Sequence, residues 1–349
     1  ETLTTWLERG EWTSALTQTG SGGIPPGWRS SEHLWNDAGL VALAECAARR
    51  HLAAGRTVTA GVFRRVAALA FRSMLHWQRP SGELQVVKNH FEPEVRWGFE
   101  GYSFHSNYGL YPAAMLSTAV LFGDCATSEA PAPVETGTYV IRYPDAFHKL
   151  VAVHRGLTLA FDLDADGKYD VTGLNSVRKV GAHPLLGPAS QIPASPRYKV
   201  PEPAGEALGL GLVWSSNSLN SARTRQVEVG HVQGASGTRV SLRYSLTDGP
   251  EVTEEYKLSD GGLSGSAAVA GETAGVTFRW PFLRWDGRDT GAGRADGALA
   301  AWELGGSRQR LHVEGVVLGE RGYAGRNGEY IAAEAPAPDG RVSWRLELD

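Results

Sequence analysis

The spacing of apolar residues changes near residue 126 and does not change back, and that switch constrains the fold more than any motif in the chain. Upstream the spacing is helical. In "GVFRRVAALAFRSMLHWQ", Phe63, Ala67, Ala70, Met74 and Trp77 fall on one stripe, while Arg64, Arg65 and Arg72 lie off it. The run before it, "NDAGLVALAECAARRHLAAG", opens on Asn36/Asp37, residue types that cap helix N-termini, and stops at Gly55. "RPSGE" then breaks the chain, and a third apolar run, "AAMLSTAVLFGD", follows Pro112, a residue suited to a helix first turn. Short helices joined by Pro/Gly-containing loops predict antiparallel α-hairpins.

Beyond the Pro/Ala/Thr linker "ATSEAPAPVETG", the apolar runs shorten and begin to alternate. "TYVIRY", "KLVAVH", "LTLAFDL", "RVSLRYSL", "VTFRWPFLRW" and "VSWRLEL" are separated by Gly, Asp and Asn turns. Many short strands at this spacing predict a large antiparallel sandwich, and helices followed by strands exclude an alternating α/β winding. The expected fold is therefore α+β. N-terminal α-helical hairpins forming a partial α/α toroid occupy residues 1–125, and an antiparallel β-sandwich occupies 126–349. The helical part is too short to close a toroid: it is a compact cap on the sandwich or, the favoured reading, the rest of the toroid precedes Glu1. The sequence opens on Glu1 without a signal-like segment, so the expectation is an N-terminal segment or second chain that completes the helical domain.

Composition narrows the partners. With 42% hydrophobic and 21% charged residues the chain is globular, and a net charge of -4 gives no basic field for nucleic acid or an anionic membrane. No apolar run reaches membrane-spanning length. Cys46 and Cys125 are too few for a disulfide scaffold or zinc ribbon, and the sequence does not say whether they pair. G-x-S-x-G, H-E-x-x-H and P-loop motifs are absent.

Chemistry concentrates in "NHFEPEVRWGFEGYSFHSNYGLYP", residues 89–112, which has no clean helix or strand period. It carries two histidines, three glutamates and seven aromatics between two helical runs. Elimination from a uronic acid polymer needs a group that neutralises the sugar carboxylate, a base for the C5 proton and an acid for the departing O4. His105 or His90 as base, Tyr102 or Tyr108 as acid, and Asn89, Asn107 or Arg96 at the carboxylate fill those roles without a metal or other cofactor. Hydrolysis instead needs two carboxylates, for which Glu92, Glu94, Glu100 and Asp37 are candidates. A packing role accounts for Trp97, Phe99 and Phe104, and solvated loop charges account for Glu92, Glu94 and Arg96.

A helical half carrying "RWGFEGYSFHSNYGLYPAAML", followed by "FHKLVAVHRGLTLAFDLDADGKYDVTGLNSVRK" in a β half, resembles toroid-plus-sandwich polysaccharide lyases, both heparinase II/III-like and chondroitin/hyaluronate/alginate-lyase-like. The resemblance lies in architecture and in the Asn/His/Tyr/Arg inventory rather than in a long motif. It implies catalytic roles for Asn89, His105 and Tyr108, with Tyr102 beside them. Arg96, Trp97, His90, Asn107, Glu100 and His33 are then substrate-binding candidates. It further implies an acidic polysaccharide or oligosaccharide as substrate and a secreted or periplasmic protein. The His-rich "HxHxD" run that often opens the heparinase II/III-like sandwich is absent, and "HKLVAVH" (His148, His154) is not that motif. A glycoside hydrolase and a non-catalytic carbohydrate-binding module or fragment of a larger enzyme are the alternative readings.

Two further features complete the reading. Asp162, Asp164 and Asp166 in "DLDADGKYD" have the spacing of a calcium loop, but an EF-hand's twelfth position would be Gly173, and strand-like flanks favour a hairpin with "ADGK" at its tip. His33 in "SSEHLWNDAG" would form an opposite cleft wall, or else Trp35 is a staple and Asn36/Asp37 are caps. His76 and His183 read as structural.

Overall fold

In a computed structural model of the protein, the change of period is a change of architecture. The structure describes residues 2–25, 32–92, 94–95, 99–100, 106–143, 148–164, 172–186, 198–199, 210–214, 217–218, 224–246, 250–271 and 275–349. Among these, only the backbone is described at 99–100, 106–108, 198–199, 214, 217–218, 224–226, 246 and 324.

The helices come first: α1 (Leu3–Thr17), α2 (Leu34–Ala53), α3 (Thr57–His76), α4 (Ser106–Phe122) and the short α5 (Pro133–Thr136). α2 and α3 form a hairpin whose turn passes through Gly55 at φ +74°, a conformation glycine adopts without strain. The expected stripe of α3 is the buried one, since Phe63, Ala67, Ala70, Met74 and Trp77 are each 2% exposed or less. The off-stripe arginines reach outward to carboxylates. Arg64 pairs with Glu45 of α2, and Arg65 holds Glu135 at 2.6 Å and Glu129 at 3.0 Å. Cys46 and Cys125 are both free thiols.

Two helix starts differ from the sequence reading. α2 begins at Leu34 with His33 as its N-cap, because the Leu34 N–H donates to the Val86 carbonyl at 2.8 Å and fixes the chain there. Asn36 and Asp37 therefore sit within the first turn rather than capping it. α4 begins at Ser106, so Pro112 lies inside the helix, where its ring nitrogen has no proton to offer the preceding turn. Asn107 and Tyr108 consequently belong to the first turn of α4.

The rest is antiparallel sheet. A two-residue strand β1 (Phe99–Glu100) precedes β2 (Thr138–Tyr143), β3 (Lys149–His154), β4 (Leu157–Asp162) and β5 (Gly173–Lys179), and the last four form a meander in chain order. β4 and β5 pair as the expected hairpin, with Asp162 opposite Gly173. β1 pairs with β6 (Tyr198–Lys199).

A twelve-stranded sheet follows. It contains β7 (Gly211–Trp214), β8 (Asn217–Ser218), β9 (Thr224–Gly234), β10 (Gly237–Leu246), β11 (Glu251–Ser259) and β12 (Gly262–Val269). β13 (Thr277–Trp285), β14 (Ala292–Ala295), β15 (Gly297–Leu304), β16 (Ser307–Gly325), β17 (Gly328–Pro336) and β18 (Arg341–Leu348) complete it. The path runs β8-β7-β13-β17-β16-β18-β12-β11-β10-β9, with β15 also on β16 and β14 on β15. β16 is the corner. Its residues Gln309–His312 pair with β18, its residues Val317–Gly325 pair with β17, and Gly315 at φ +72° lies between. One strand thereby passes from one face of the sandwich to the other.

β18, the run "VSWRLEL", shows the expected alternation, with Val342, Trp344, Leu346 and Leu348 buried and the residues between them exposed or half-buried. An aromatic path joins the sheets through the core. Phe161 meets Tyr256 at 5.1 Å, Tyr256 meets Trp344 at 5.9 Å, and Trp344 meets Trp280 at 5.1 Å between ring centroids. Each such contact contributes about 0.5–1.5 kcal/mol beyond the area buried. Helices and sheets share one continuous hydrophobic core.

Candidate functional site

After α3 ends, the chain turns at the expected "RPSGE" break and returns along the base of the helices, bridging Gln78 to Leu84 and His33 to Val87. Lys88 then enters the interior. Its ammonium lies 2.9 Å from Asp37 and 4.0 Å from Glu32, and Asp37 is fully buried. Asp37 also accepts from Ser73 of α3 at 3.1 Å and from the Ile24 N–H at 3.2 Å, while Glu32 accepts from Arg178 of β5 at 3.0 Å. Asp37 is therefore the anion of a buried network, not a substrate-facing carboxylate. Each charge in this network has a counter-charge, the condition under which buried ions are tolerated.

Residues 88–91 are clasped by two turns of the sandwich. Asn89 donates to the Arg326 carbonyl at 3.0 Å and accepts from the Phe91 N–H at 3.2 Å. In return Asn327 donates to the Lys88 carbonyl at 2.9 Å. The His90 N–H donates to the Asp286 carbonyl at 2.8 Å. Gly287, at φ +102°, permits this approach, because a Cβ there would lie 2.5 Å from the Phe91 nitrogen.

Around that clasp stands a group of imidazoles and carboxylates. His76 closes α3, His183 follows β5, and Asp286 and Asp289 belong to the turn after β13. One ligand-type atom from each lies within 4.8 Å of all the others. His183 Nε2 is 3.7 Å from Asp286 Oδ2 and 3.7 Å from Asp289 Oδ2, and His90 Nε2 is 3.9 Å from Asp286 Oδ2. These separations are longer than hydrogen bonds. Asp286 Oδ1 is fully used, accepting from the Arg288 and Asp289 N–H groups at 2.9 and 2.7 Å. Its Oδ2, His90 Nε2 and His183 Nε2 are buried with no hydrogen-bond partner.

Burial, reinforced by His183, Arg288 and His90, pushes the His76 imidazolium down to about 3, and burial likewise lowers His90. Burial acts to raise Asp286, but His183, the two backbone N–H groups and His90 outweigh it and hold that carboxyl below its ordinary range. Neutral imidazoles thus face an ionised carboxylate.

The structure relocates several residues that the sequence assigned to substrate. Asn89 is 1% exposed with both ends of its carboxamide bonded to backbone, so it fastens the junction instead of meeting a sugar. His33 is 1% exposed and packed edge-on to Trp35 at 4.6 Å. The His90 side chain, 6% exposed, turns into the His/Asp group. Glu92 extends into solvent, 71% exposed, and pairs with Arg79 at 2.9 Å. Asn107 and Tyr108 lie in the first turn of α4 and Glu100 in β1, with backbone alone described. Arg96, Trp97, Tyr102 and His105 lie outside the described residues.

Of the calcium candidates, Asp162 is fully buried against Lys149 and accepts from the Asp164 N–H at 3.0 Å, which is the chemistry of a hairpin shoulder. Asp166 lies outside the described residues. His76 and His183, which the sequence set aside, are the ones brought together. A pocket of about 360 Å³ elsewhere in the sandwich is lined by His154, Arg155, Asp260, Arg310 and Asp349 among others. Its charges close on one another, with His154–Asp260 at 2.9 Å, Arg155–Asp260 at 3.1 Å and Arg310–Asp349 at 2.6 Å.

No known protein-family profile matches the sequence, and no curated protein matches it. Among solved structures the chain is similar to heparan sulfate lyase HepC from Pedobacter heparinus, at 9% identity over 97% of this chain and 55% of that one, with a TM-score of 0.43. It is similar to 4-alpha-glucanotransferase from Thermococcus litoralis at 8% identity over 89% and 49% of the two chains, with a TM-score of 0.39. Galactose 1-epimerase from Lactobacillus acidophilus NCFM matches at 11% identity over 60% of this chain and 98% of that one, with a TM-score of 0.28. The chain spans about half the length of the heparinase III structures it matches. These are loose likenesses of architecture.

Proposed function

We propose that this chain acts on an acidic polysaccharide or oligosaccharide and cleaves it beside a uronic acid by β-elimination. The two described ends of the 89–108 segment carry the reading. Its described start is fixed to the sandwich at Lys88–Phe91, and its described end is the first turn of α4, where N–H groups and the positive dipole end favour negative charge. The stretch bearing Arg96, Trp97, Tyr102 and His105 thus connects a point anchored on the sandwich to a helix N-terminus.

In this reading His105 takes the C5 proton, the C4–C5 double bond forms as the C4–O4 bond breaks, and Tyr108 or Tyr102 protonates the departing O4. Arg96 or Asn107 neutralises the sugar carboxylate, because Asn89 has no free end to do so. Trp97 and Glu100 contact the neighbouring sugar. Residues 1–125 and 126–349 would act as helical and sandwich halves of one cleft. An N-terminal segment or second chain would cover the apolar surface that α4 presents at Leu110 (62% exposed), Val120 (82%) and Leu121 (73%). A polymeric substrate of this kind would be met by a secreted or periplasmic protein. Among the described residues no helix is long and apolar enough to cross a membrane.

The test is incubation with a panel of uronic acid polymers, reading both the ultraviolet absorbance of an unsaturated uronate and new reducing ends. Lyase action gives both signals. His105→Ala and Tyr108→Phe should each lower turnover by roughly 10²–10⁴-fold, the usual contribution of a positioned acid or base, with an unchanged far-ultraviolet spectrum. Reducing ends without the absorbance would establish hydrolysis by a carboxylate pair. Binding without either product would establish a carbohydrate-binding module, and either result overturns the proposal.

A further inference from the structure

We propose that His76, His183, Asp286 and Asp289 form a binding site for one divalent transition-metal ion, zinc being the ion whose coordination they match. The inference is independent of the catalytic proposal.

The donor set comes first. Two imidazoles and two carboxylates suit zinc, whereas calcium and magnesium favour all-oxygen shells. Geometry comes second. A tetrahedral zinc ion with bonds of about 2.0–2.2 Å has donor-to-donor edges of roughly 3.3–3.6 Å. The two resolved edges from His183 Nε2 are 3.7 Å, and no pair among the four exceeds 4.8 Å. The donors thus need to draw in by roughly 1.2–1.5 Å at most.

The unmet bonding of the group is an independent pointer to a ligand. The His183 side chain is 1% exposed and that of Asp286 fully buried, yet Nε2 of one and Oδ2 of the other have no hydrogen-bond partner. Buried polar atoms left in this way are costly, so groups held 3.7 Å apart, without closing into a hydrogen bond, are arranged for something between them.

Two existing contacts must give way. The Leu185 N–H donates to His183 Nδ1 at 3.2 Å, and a metal at Nε2 shifts the ring proton to Nδ1 and releases that long bond. Arg288 holds Asp289 through Nη2 at 2.9 Å and Nε at 3.2 Å, and its Nη2 lies 3.5 Å from His76 Nε2. Its side chain is 48% exposed, so it can swing to water as the ion takes over its charge-balancing role. His90, 3.9 Å from Asp286 Oδ2, remains an outer partner. Ligands from the end of α3, the exit of β5 and the turn after β13 would make the ion a pin between helices and sandwich, directly beneath the clasped residues 88–91.

The experiment strips the full chain with a chelator and titrates it with zinc chloride, following heat and melting temperature, with calcium chloride as a parallel probe. One equivalent of zinc bound per chain, with a raised melting temperature, is expected. His183→Ala, Asp286→Asn and His76→Ala should each weaken binding by roughly 10- to 100-fold or more, while His231→Ala, at an exposed position, should not. His76→Ala removes a ligand at a helix end and keeps the test valid should the two buried variants fail to fold. No saturable zinc uptake by the wild type, uptake of calcium instead, or unchanged affinity in His76→Ala would overturn the site. None of these readouts involves turnover, so failure here leaves the lyase proposal standing, and the reverse also holds.

Discussion

Two buried polar groups in this protein are built in opposite ways. In the sandwich, Glu254 of β11 is 2% exposed, and its two oxygens accept from Tyr244 at 3.1 Å and Tyr256 at 3.0 Å. Tyr256 is two residues along the same strand, and Tyr244 is the diagonal neighbour of Glu254 across the β10–β11 ladder. Sheet geometry alone therefore supplies both partners. At the junction, His183 and Asp286 come from separate connections and meet without satisfying each other. One group is closed by local register, the other is assembled by tertiary packing and left open. Closure marks a structural device, whereas an open buried group asks for a ligand.

The Lys88–Asp37 network is the closed part of the junction, and it gives the largest test of the contrast. Lys88→Met leaves the Asp37 carboxylate buried without its cation, and the expected loss is roughly 3–5 kcal/mol. Urea unfolding should show this as a lower midpoint at an unchanged slope. A loss below about 1 kcal/mol would mean that water reaches Asp37, and the network would no longer count as closed.

Glu254 gives the next largest effect, and it depends on pH. Burial raises its carboxyl to about 7 from an ordinary 4.5, the two tyrosine hydroxyls offsetting only part of that. Between those values the folded chain holds a proton that the unfolded chain has released. The contribution is thus fully present below the unfolded value, falls as pH rises through the window, and is level above the folded one. The fall amounts to roughly 3 kcal/mol. Glu254→Gln cannot titrate, so the wild-type-minus-variant difference should carry that slope while other carboxylates cancel. A difference that stays flat across the window would show that the hydroxyls keep the acid ionised throughout.

The same contrast explains what could be read from the sequence. The stripe on α3, the alternation on β18 and the β4–β5 hairpin are legible because each is set by residues a few positions apart. The site candidates were less legible. Asn36 and Asp37 are good caps by residue type, yet the helix start was decided by Leu34 bonding to Val86, some fifty residues on, and Asp37 was left to balance Lys88. Pro112 pointed to a helix start that lies further upstream, because a proline marks what the backbone tolerates rather than where packing begins. His76, His183, Asp286 and Asp289 carry no shared spacing, and a lone histidine in a helix reads as structural. The one local hint was "WDGRDT", an Asp-Gly turn with a second Asp three residues on, too common in hairpins to single out.

The smallest expected effect falls on the open group and separates its two descriptions. Arg288 is the cation now standing at its rim, 48% exposed and paired with Asp289 at 2.9 Å. If that pair were part of a closed network, Arg288→Ala would be costly. An exposed pair contributes only about 0–1 kcal/mol, so the variant should unfold at nearly the wild-type urea midpoint. Removing a positive charge beside the donors should meanwhile tighten zinc binding in a competition with a colorimetric chelator. Stability lost without any gain in zinc affinity would make Arg288 the partner that closes the group, and the junction would then resemble the sandwich core after all.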